Sequence, residues 1–236
     1  MVNSIIHSSR FELPPFLIEP EGSVLVFDKP YGCTSFDLVS KVKRTIRKEW
    51  DIKLKVGHAG TLDPLATGIL IVCVGKYTKR ISEYQAQEKE YTGTFHMGAT
   101  TPSYDMEKPA DLYFDYSHIT EEAANRVARQ MTGIIEQIPP QYSAVRISGK
   151  RAFDYARAGE EVNIQPKRIE IKKFEITRFE LPEIDFRIVC SKGTYIRSVA
   201  RDFGEALESG AYLSSLRRTR IGDFKIGDAL QCIIMK

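Results

Sequence analysis

The segment GHAGTLDPLATGIL, residues 57–70, constrains this chain more than any other because it places backbone breakers directly before a purely apolar run. Three glycines and one proline surround Asp63, and such residues mark places where a backbone bends sharply or a ligand approaches closely. Residues 69–74 follow without polar alternation, which predicts a strand buried on both faces. The segment therefore predicts a rigid loop that presents a carboxylate into a partly desolvated cleft.

The role of Asp63 has several interpretations at this point. An aspartate after a Gly-Thr turn is most often a cap or a turn residue, but Pro64 fixes the backbone and keeps Asp63 out of the α region. A presented carboxylate can serve as a nucleophile, a general base or a metal ligand. Metal binding is disfavoured because the nearby imidazole, His58, has no companion at ligand spacing.

Motifs for cofactor chemistry are absent from the sequence. It contains no phosphate-binding G-x-x-x-x-G-K-[ST], no G-x-G-x-x-G after a strand and no G-x-S-x-G hydrolase elbow. We therefore expect no metal and no cofactor, and a lone carboxylate nucleophile is the remaining chemistry.

Size and cysteine usage indicate an ordinary intracellular protein. The 236 residues allow one large domain, and the four cysteines are scattered without C-x-x-C spacing, which favours a reducing compartment. No stretch approaches the roughly 18 apolar residues of a membrane span, and the N-terminus lacks the order of a signal peptide. We expect a cytoplasmic protein that does not associate with membranes.

Positive charge is concentrated locally, although the net charge is only +3. Residues 41–55 contain seven lysines and arginines against two acids, and a second cluster comprises Arg217, Arg218 and Arg220. Basic stripes on a near-neutral protein suit a polyanion that is bound on one face. The alternative is a solvated helix face.

The periodicity predicts an α+β fold with a mixed, largely antiparallel central sheet flanked by helices. A helix is predicted over residues 33–50, with a capping box at Thr34 and Asp37. Its apolar face is expected to contain Phe36, Val39, Val42 and Ile46. Residues 99–118 and 135–150 are predicted as loops, and residues 1–22 as a loosely ordered lead-in.

Six segments in this order resemble the TruB-type pseudouridine synthases, the tRNA pseudouridine-55 synthases, in their stand-alone bacterial form. They are VFDKPYGCTSFD, GHAGTLDPLATGIL, KEYTGTFHMGATTPSYDMEKP, QIPPQYSAVRISGKRAFDYARAG, CSKGTYIRSVARDFGEAL and LSSLRRTRIGDF. The resemblance implies the pseudouridine synthase catalytic fold over residues 23–236, with an insertion that binds the T arm of tRNA at about residues 134–167. Many members carry a further C-terminal PUA domain, and we expect none here because only LQCIIMK follows GDFKIGDA.

The resemblance assigns roles to individual residues. Asp63 would be the nucleophile, acting on the ribose or on the uracil ring, with Arg197 as its partner. Tyr91 would stack on the flipped uracil and take part in proton transfer. Further substrate contacts are implied for Lys29, Pro30, His58, Tyr195 and Leu216. Without the resemblance, each of these residues has an ordinary structural interpretation.

The function implied is the isomerisation of uridine 55 in the T loop of tRNA by a monomer without guide RNA. Flipping a stacked base requires compensating contacts, for which we expect phosphate-binding cations. The candidates are helix 34–49, Arg146, Lys150, Arg151, Arg157, Arg217, Arg218 and Arg220. The alternatives are a structured-RNA binder or tRNA folding helper, and a modifier of another RNA.

Overall fold

The computed structural model describes residue 19 and residues 21–231, so most of the predicted lead-in over residues 1–22 lies outside the described residues. The helices are α1 (Ser35–Trp50), α2 (Ile81–Ala86), α3 (Glu121–Gln130), α4 (Ala152–Arg157) and α5 (Ile196–Ala206), with 3-10 helices at Gly75–Arg80 and Ile226–Asp228. The strands are β1 (Val24–Lys29), β2 (Val56–His58), β3 (Thr67–Val74), β4 (Lys89–Met97), β5 (Ala99–Thr100), β6 (Leu112–Tyr113), β7 (Gly133–Gln137), β8 (Arg146–Ile147), β9 (Lys150–Arg151), β10 (Lys167–Glu180), β11 (Glu183–Cys190), β12 (Ala211–Ile221), β13 (Phe224–Lys225) and β14 (Leu230–Gln231). Within these described residues, no helix is long and apolar enough to span a bilayer.

The chain forms two compact units, of which the first comprises residues up to Lys89 and from Arg217 onward. Its strands follow the order β14–β1–β3–β12, with β2 added to β3. The pair β1–β3 is antiparallel, whereas β1–β14 and β3–β12 are parallel. The sheet of this unit is therefore mixed, as predicted.

Strand β3 is the centre of the first unit, because residues 69–74 have no exposed surface. On one face, Leu70, Val72 and Val74 pack into a cluster with residues of α1. On the other face, Ile69, Ile71 and Cys73 pack with Tyr84 and Ile221. The prediction of a strand buried on both faces is confirmed.

Helix α1 follows the sequence prediction except at Phe36. Thr34 and Asp37 form the expected capping box, but Phe36 is 72% exposed. The buried face instead consists of Ser35, Leu38, Val39, Val42 and Ile46. At 100° per residue, Phe36 lies beside this face rather than at its centre, so its assignment to the core was wrong.

The second unit spans Glu90–Leu216 and has the strand order β12–β4–β11–β10–β7. The hairpin β10–β11 and the pair β10–β7 are antiparallel. A cluster of aromatic rings formed by Phe95, Phe174, Phe186 and Phe203 fills its core. Helices accompany this sheet, which agrees with the predicted α+β class.

Two segments predicted as loops contain strands. Residues 133–137 pair with β10 through the register Gln137 to Lys167, so the residues that connect these two strands are 138–166. The pair β5–β6 interrupts the predicted loop over residues 99–118. These three strands are short, and pairing rather than local pattern determines them.

Candidate active site

The loop between β2 and β3 carries Asp63, and its backbone is bent at Gly60. Gly60 has a φ of 113°, a conformation that glycine adopts without the cost that a side chain imposes. Asp63 is half-buried, and its carbonyl accepts a hydrogen bond of 3.1 Å from the Ala66 amide. The turn after Asp63 is thus closed locally, and the rest of the loop is fixed by residues from elsewhere in the unit.

Ser35, the first residue of α1, holds the residue directly before Asp63. Its hydroxyl accepts from the Leu62 amide and donates to the Leu62 carbonyl, both at 2.9 Å. Ser35 is 3% exposed, so the two hydrogen bonds are shielded from water and fix the backbone of residue 62 in both directions.

Arg218 on β12 holds the loop from another side. Its guanidinium donates to the carbonyls of Gly60 at 3.2 Å, Thr61 at 3.3 Å and Ile69 at 2.8 Å. Arg218 is 2% exposed, and the fork of the guanidinium suits three acceptors at different positions. One side chain therefore connects the start of the loop to the strand that follows it.

Gly68 explains how β12 comes so close to this strand. A Cβ atom at Gly68 would lie 2.2 Å from the Arg218 carbonyl oxygen, and the φ of Gly68 is 107°. The parallel register Arg218 to Gly68 therefore requires a residue without a side chain. This is the physical reason for the last glycine of the segment.

Lys29 at the end of β1 lies on the inner side of the loop and has no exposed surface. Its ammonium donates to the carbonyls of Cys33 at 2.6 Å, Pro30 at 3.0 Å and Pro64 at 3.4 Å. Burial lowers the pKa of Lys29 to about 8, while electrostatic interactions with Cys33 and Asp63 act in the opposite direction. Lys29 thus lies against the Asp63 loop, and the substrate contacts predicted for Lys29 and Pro30 stay predictions.

His58 is the last residue of β2 and is half-buried. Its pKa is lowered by burial and by the positive charge of Arg218, so the neutral imidazole is favoured at neutral pH. Its Nδ1 atom is buried and has no hydrogen-bond partner among the described residues. A neutral His58 would contact RNA through hydrogen bonding or packing rather than through charge.

Two of the predicted residues of the second unit, Tyr195 and Arg197, lie at the start of α5. Arg197 is 6% exposed and donates to the carbonyls of Ser103 at 3.2 Å and Tyr142 at 3.0 Å. Its Nε atom lies 3.7 Å from a carboxylate oxygen of Asp105. The guanidinium is thus oriented by fixed acceptors, and its pairing with Asp63 stays a prediction.

Tyr195 is the N-cap residue of α5, and Gln137 fixes its backbone. The Gln137 amide accepts from the Tyr195 N–H at 2.8 Å and donates to its carbonyl at 3.2 Å. Gln137 is 1% exposed, which makes this pairing a buried one. The Tyr195 ring therefore extends from a fixed backbone.

Tyr91 and Leu216 lie on strands of the second unit. Tyr91 on β4 is 8% exposed, whereas Leu216 on β12 is half-buried. The roles of both in binding the base remain predictions.

One arginine at the end of β12 differs from the prediction that it contacts phosphate. Arg218 is buried, so that prediction is wrong for this residue. Arg217 forms a two-pronged pair with Asp28, at 2.6 and 3.1 Å, and Arg220 pairs with Glu88 at 2.6 Å. Contact of Arg217 and Arg220 with phosphate stays a prediction.

The cations between residues 146 and 157 have a different environment. Lys150 contacts the ring of Tyr155, and Arg151 and Arg157 lie against Phe153. These three cations are exposed, so cation–π contact orients them without removing them from solvent.

Sequence reasoning missed three residues that fix the backbone around the predicted site residues. Ser35 and Arg218 fix the Asp63 loop, and Gln137 fixes the backbone of Tyr195. Ser35 precedes Leu62 by 27 residues, and Arg218 lies 158 residues from Gly60. A serine at a helix start and an arginine in a basic cluster have common local explanations. No local signal distinguishes them.

Comparison with known proteins shows which family has this arrangement. Residues 43–196 match the family described as TruB family pseudouridylate synthase, N-terminal domain. The tRNA pseudouridine synthase B of Phocaeicola vulgatus is 53% identical over 211 residues, which cover 89% of this chain and 90% of the relative. That of Flavobacterium johnsoniae is 52% identical over 218 residues, covering 92% and 95%.

Solved structures show the same fold. The structure of a Cbf5-Nop10-Gar1 complex contains a chain that is 29% identical, with a TM-score of 0.67 over 89% of this chain and 52% of that one. A chain of the archaeal box H/ACA sRNP Nop10-Cbf5 complex is 26% identical, with a TM-score of 0.64 over 93% and 54%. The present chain thus spans about half the length of these solved chains. With a pseudouridine synthase fold and a family match over most of its length, the chain belongs to the TruB family of pseudouridylate synthases.

Proposed function

We propose that this protein isomerises uridine to pseudouridine at position 55 in the T loop of tRNA, with Asp63 as the nucleophile. The observation that carries the proposal is the fixation of the Asp63 loop. Its backbone is held at residues 60, 61, 62 and 64 by three side chains, those of Arg218, Ser35 and Lys29. Relatives that are 53% and 52% identical over the aligned residues are named tRNA pseudouridine synthase B, which supports tRNA as the substrate.

The proposed reaction conserves all atoms and electrons. The bond between ribose C1′ and uracil N1 breaks, the base turns, and a bond forms between C1′ and C5. The proton leaves C5, and N1 gains one. Asp63 attacks either ribose C1′ or uracil C6, and both routes need an ionised carboxylate on a fixed backbone.

The target uridine must leave the stacked T loop of the tRNA to reach the half-buried carboxylate of Asp63. Tyr91, Tyr195 and Leu216 are proposed to contact the flipped base, and Arg197 to pair with Asp63. Lys29 and Pro30 are proposed to form the floor beside the carboxylate, and a neutral His58 to contact the RNA.

Exposed cations between residues 146 and 157 are proposed to bind phosphates of the T arm. The segment that contains them connects β7 to β10 and corresponds to the predicted T-arm-binding insertion. We propose that the protein acts on free tRNA as a cytoplasmic monomer and needs neither guide RNA nor cofactor.

The test is pseudouridine mapping on tRNA transcripts that contain only unmodified uridine. Wild-type protein and Asp63→Asn are incubated with the transcript, and a transcript with cytidine at the target position serves as the control. We expect product only with wild-type protein and only at that position.

Each part of the proposal can fail separately. Absence of product with wild-type protein would refute the proposed activity, and tight tRNA binding in that case would favour the RNA-binding alternative. Product from Asp63→Asn would refute the role of Asp63 alone. Product at a different uridine would refute the site but not the chemistry.

A further inference from the structure

An aromatic and basic stripe runs along the exposed side of α1. Phe36 is 72% exposed, and Ser40, Lys43 and Arg47 lie within about 40° of it around the helix axis, at 100° per residue. Lys43 and Arg47 are also exposed. We call these four residues the Phe36 stripe, which extends about 16 Å along the helix at 1.5 Å per residue.

The side chains of this stripe have no partner within the part of the chain that the structure describes. Lys43 and Arg47 form no ion pair there, and Phe36 stacks on no other ring or cation. The arginines of β12 are the opposite case, since each donates to a carboxylate or to a carbonyl. The arginines of β12 therefore bind acceptors within the protein, whereas Lys43 and Arg47 face the solvent.

The aromatic end of the stripe is attached to the loop that carries Asp63. Ser35, the residue before Phe36, is bonded to Leu62, the residue before Asp63. The Gly32 amide also donates to the Pro64 carbonyl at 2.8 Å. Phe36 and Asp63 are therefore each one residue away from the same pair of hydrogen bonds, which connects the start of the stripe to the Asp63 loop.

This arrangement suits RNA. An exposed aromatic ring binds any unpaired base through its flat face, while lysine and arginine neutralise phosphates along the backbone. An acidic protein segment would use the cations but would have no need for an exposed phenyl ring beside the nucleophile.

We propose that the Phe36 stripe binds the RNA segment next to the target uridine. One unpaired base stacks on Phe36, and the phosphates that follow lie along Lys43 and Arg47. The proposal rests on the proposed function, because it places the stripe beside the site where uridine reacts.

The test measures tRNA affinity over a range of salt concentrations in the Asp63→Asn background, in which the proposed function predicts no turnover. Phe36→Ala should weaken binding about tenfold, since stacking on an aromatic ring contributes about 1–3 kcal/mol per base. Phe36→Trp should retain the affinity. The double variant Lys43→Ala/Arg47→Ala should make the plot of log K for tRNA binding against log[salt] less steep. The magnitude of its slope should fall by about 1.4–1.8, which corresponds to the loss of two phosphate contacts.

Matched controls come from the second unit. Tyr113 is 80% exposed, so Tyr113→Ala removes an equally accessible ring. Arg126→Ala/Arg129→Ala removes two exposed positive charges from α3. Tyr113→Ala should reduce the tRNA affinity less than Phe36→Ala does. Arg126→Ala/Arg129→Ala should change the salt slope less than Lys43→Ala/Arg47→Ala does.

The outcomes separate the two proposals. If stripe variants and controls bind tRNA alike, or if Phe36→Trp fails to restore binding, the stripe proposal is refuted. Product formation by the wild-type protein is measured in parallel, and its absence would refute the proposed function, while the stripe is judged on binding alone. All the variants change exposed side chains, so unfolding midpoints should equal that of the parent protein.

Discussion

Replacing Arg218 by methionine should reduce both the rate of pseudouridine formation and the stability of the protein. The guanidinium holds three carbonyl oxygens, at Gly60, Thr61 and Ile69, and two of them precede Asp63 in its loop. Methionine fills similar space but donates no hydrogen bond, so the loop loses its attachment to β12.

The magnitude follows from two opposing contributions. Hydrogen bonds from a charged donor contribute about 1.5–3 kcal/mol each, but burying the guanidinium of Arg218, which is 2% exposed, costs several kcal/mol. We therefore expect Arg218→Met to lower the free energy of unfolding by about 2–4 kcal/mol. Displacement of a reacting group by about 1 Å can cost on the order of 100-fold in rate, so we expect at least that loss in single-turnover pseudouridine formation.

The assay combines urea unfolding with single-turnover kinetics at a temperature where every variant is folded. Arg220→Met is the matched control, because Arg220 lies on the same strand and pairs with Glu88 instead of the loop. Arg218→Lys keeps the charge but cannot reach all three carbonyls, and should resemble Arg218→Met in rate. Equal rates for Arg218→Met and Arg220→Met would refute the idea that Arg218 positions the nucleophile.

Two further predictions concern the same unit. Gly68→Ala should prevent folding or destabilise by more than about 3 kcal/mol, because a Cβ atom would lie 2.2 Å from the Arg218 carbonyl oxygen. Gly133→Ala, at a φ of 111° with nothing within 4 Å, should cost only about 1–2 kcal/mol in thermal or urea unfolding, and equal costs would contradict the close approach. Lys29 has a folded-state pKa of about 8, below its ordinary 10.5. Protonation of Lys29 therefore destabilises the folded state below pH 8, and this destabilisation decreases as the pH rises from 8 to 10.5. Relative to Lys29→Met, the unfolding free energy of the wild type should rise by about 1 kcal/mol between pH 7 and pH 9, and parallel pH curves would contradict this assignment.

The sequence predicts well those features that depend on neighbouring residues. The capping box at Thr34 and the doubly buried strand at residues 69–74 are local patterns, and the structure has both. The family resemblance extended this reach, because the ordered segments predicted the fold that the comparisons confirm.

Features that depend on distant contacts were not predictable in this way. The strand at residues 133–137 pairs with β10, and its five residues are too few to show a strand period of their own. Phe36 illustrates the same limit, since helical spacing defines a face but does not decide which flank of it reaches the solvent. The three attachments of the Asp63 loop join residues that are far apart in the chain, so a single sequence contains no record of them.

The attachment by Arg218 has an electrostatic consequence in addition to its mechanical one. Its permanent positive charge contributes to lowering the pKa of both His58 and Lys29. With a pKa of about 8, Lys29 keeps its proton at neutral pH by a margin of only about one pH unit. The number of positive charges around the Asp63 loop therefore changes at mildly alkaline pH. A rise of one or two pH units would remove the positive charge of Lys29, while the charge of Arg218 would remain.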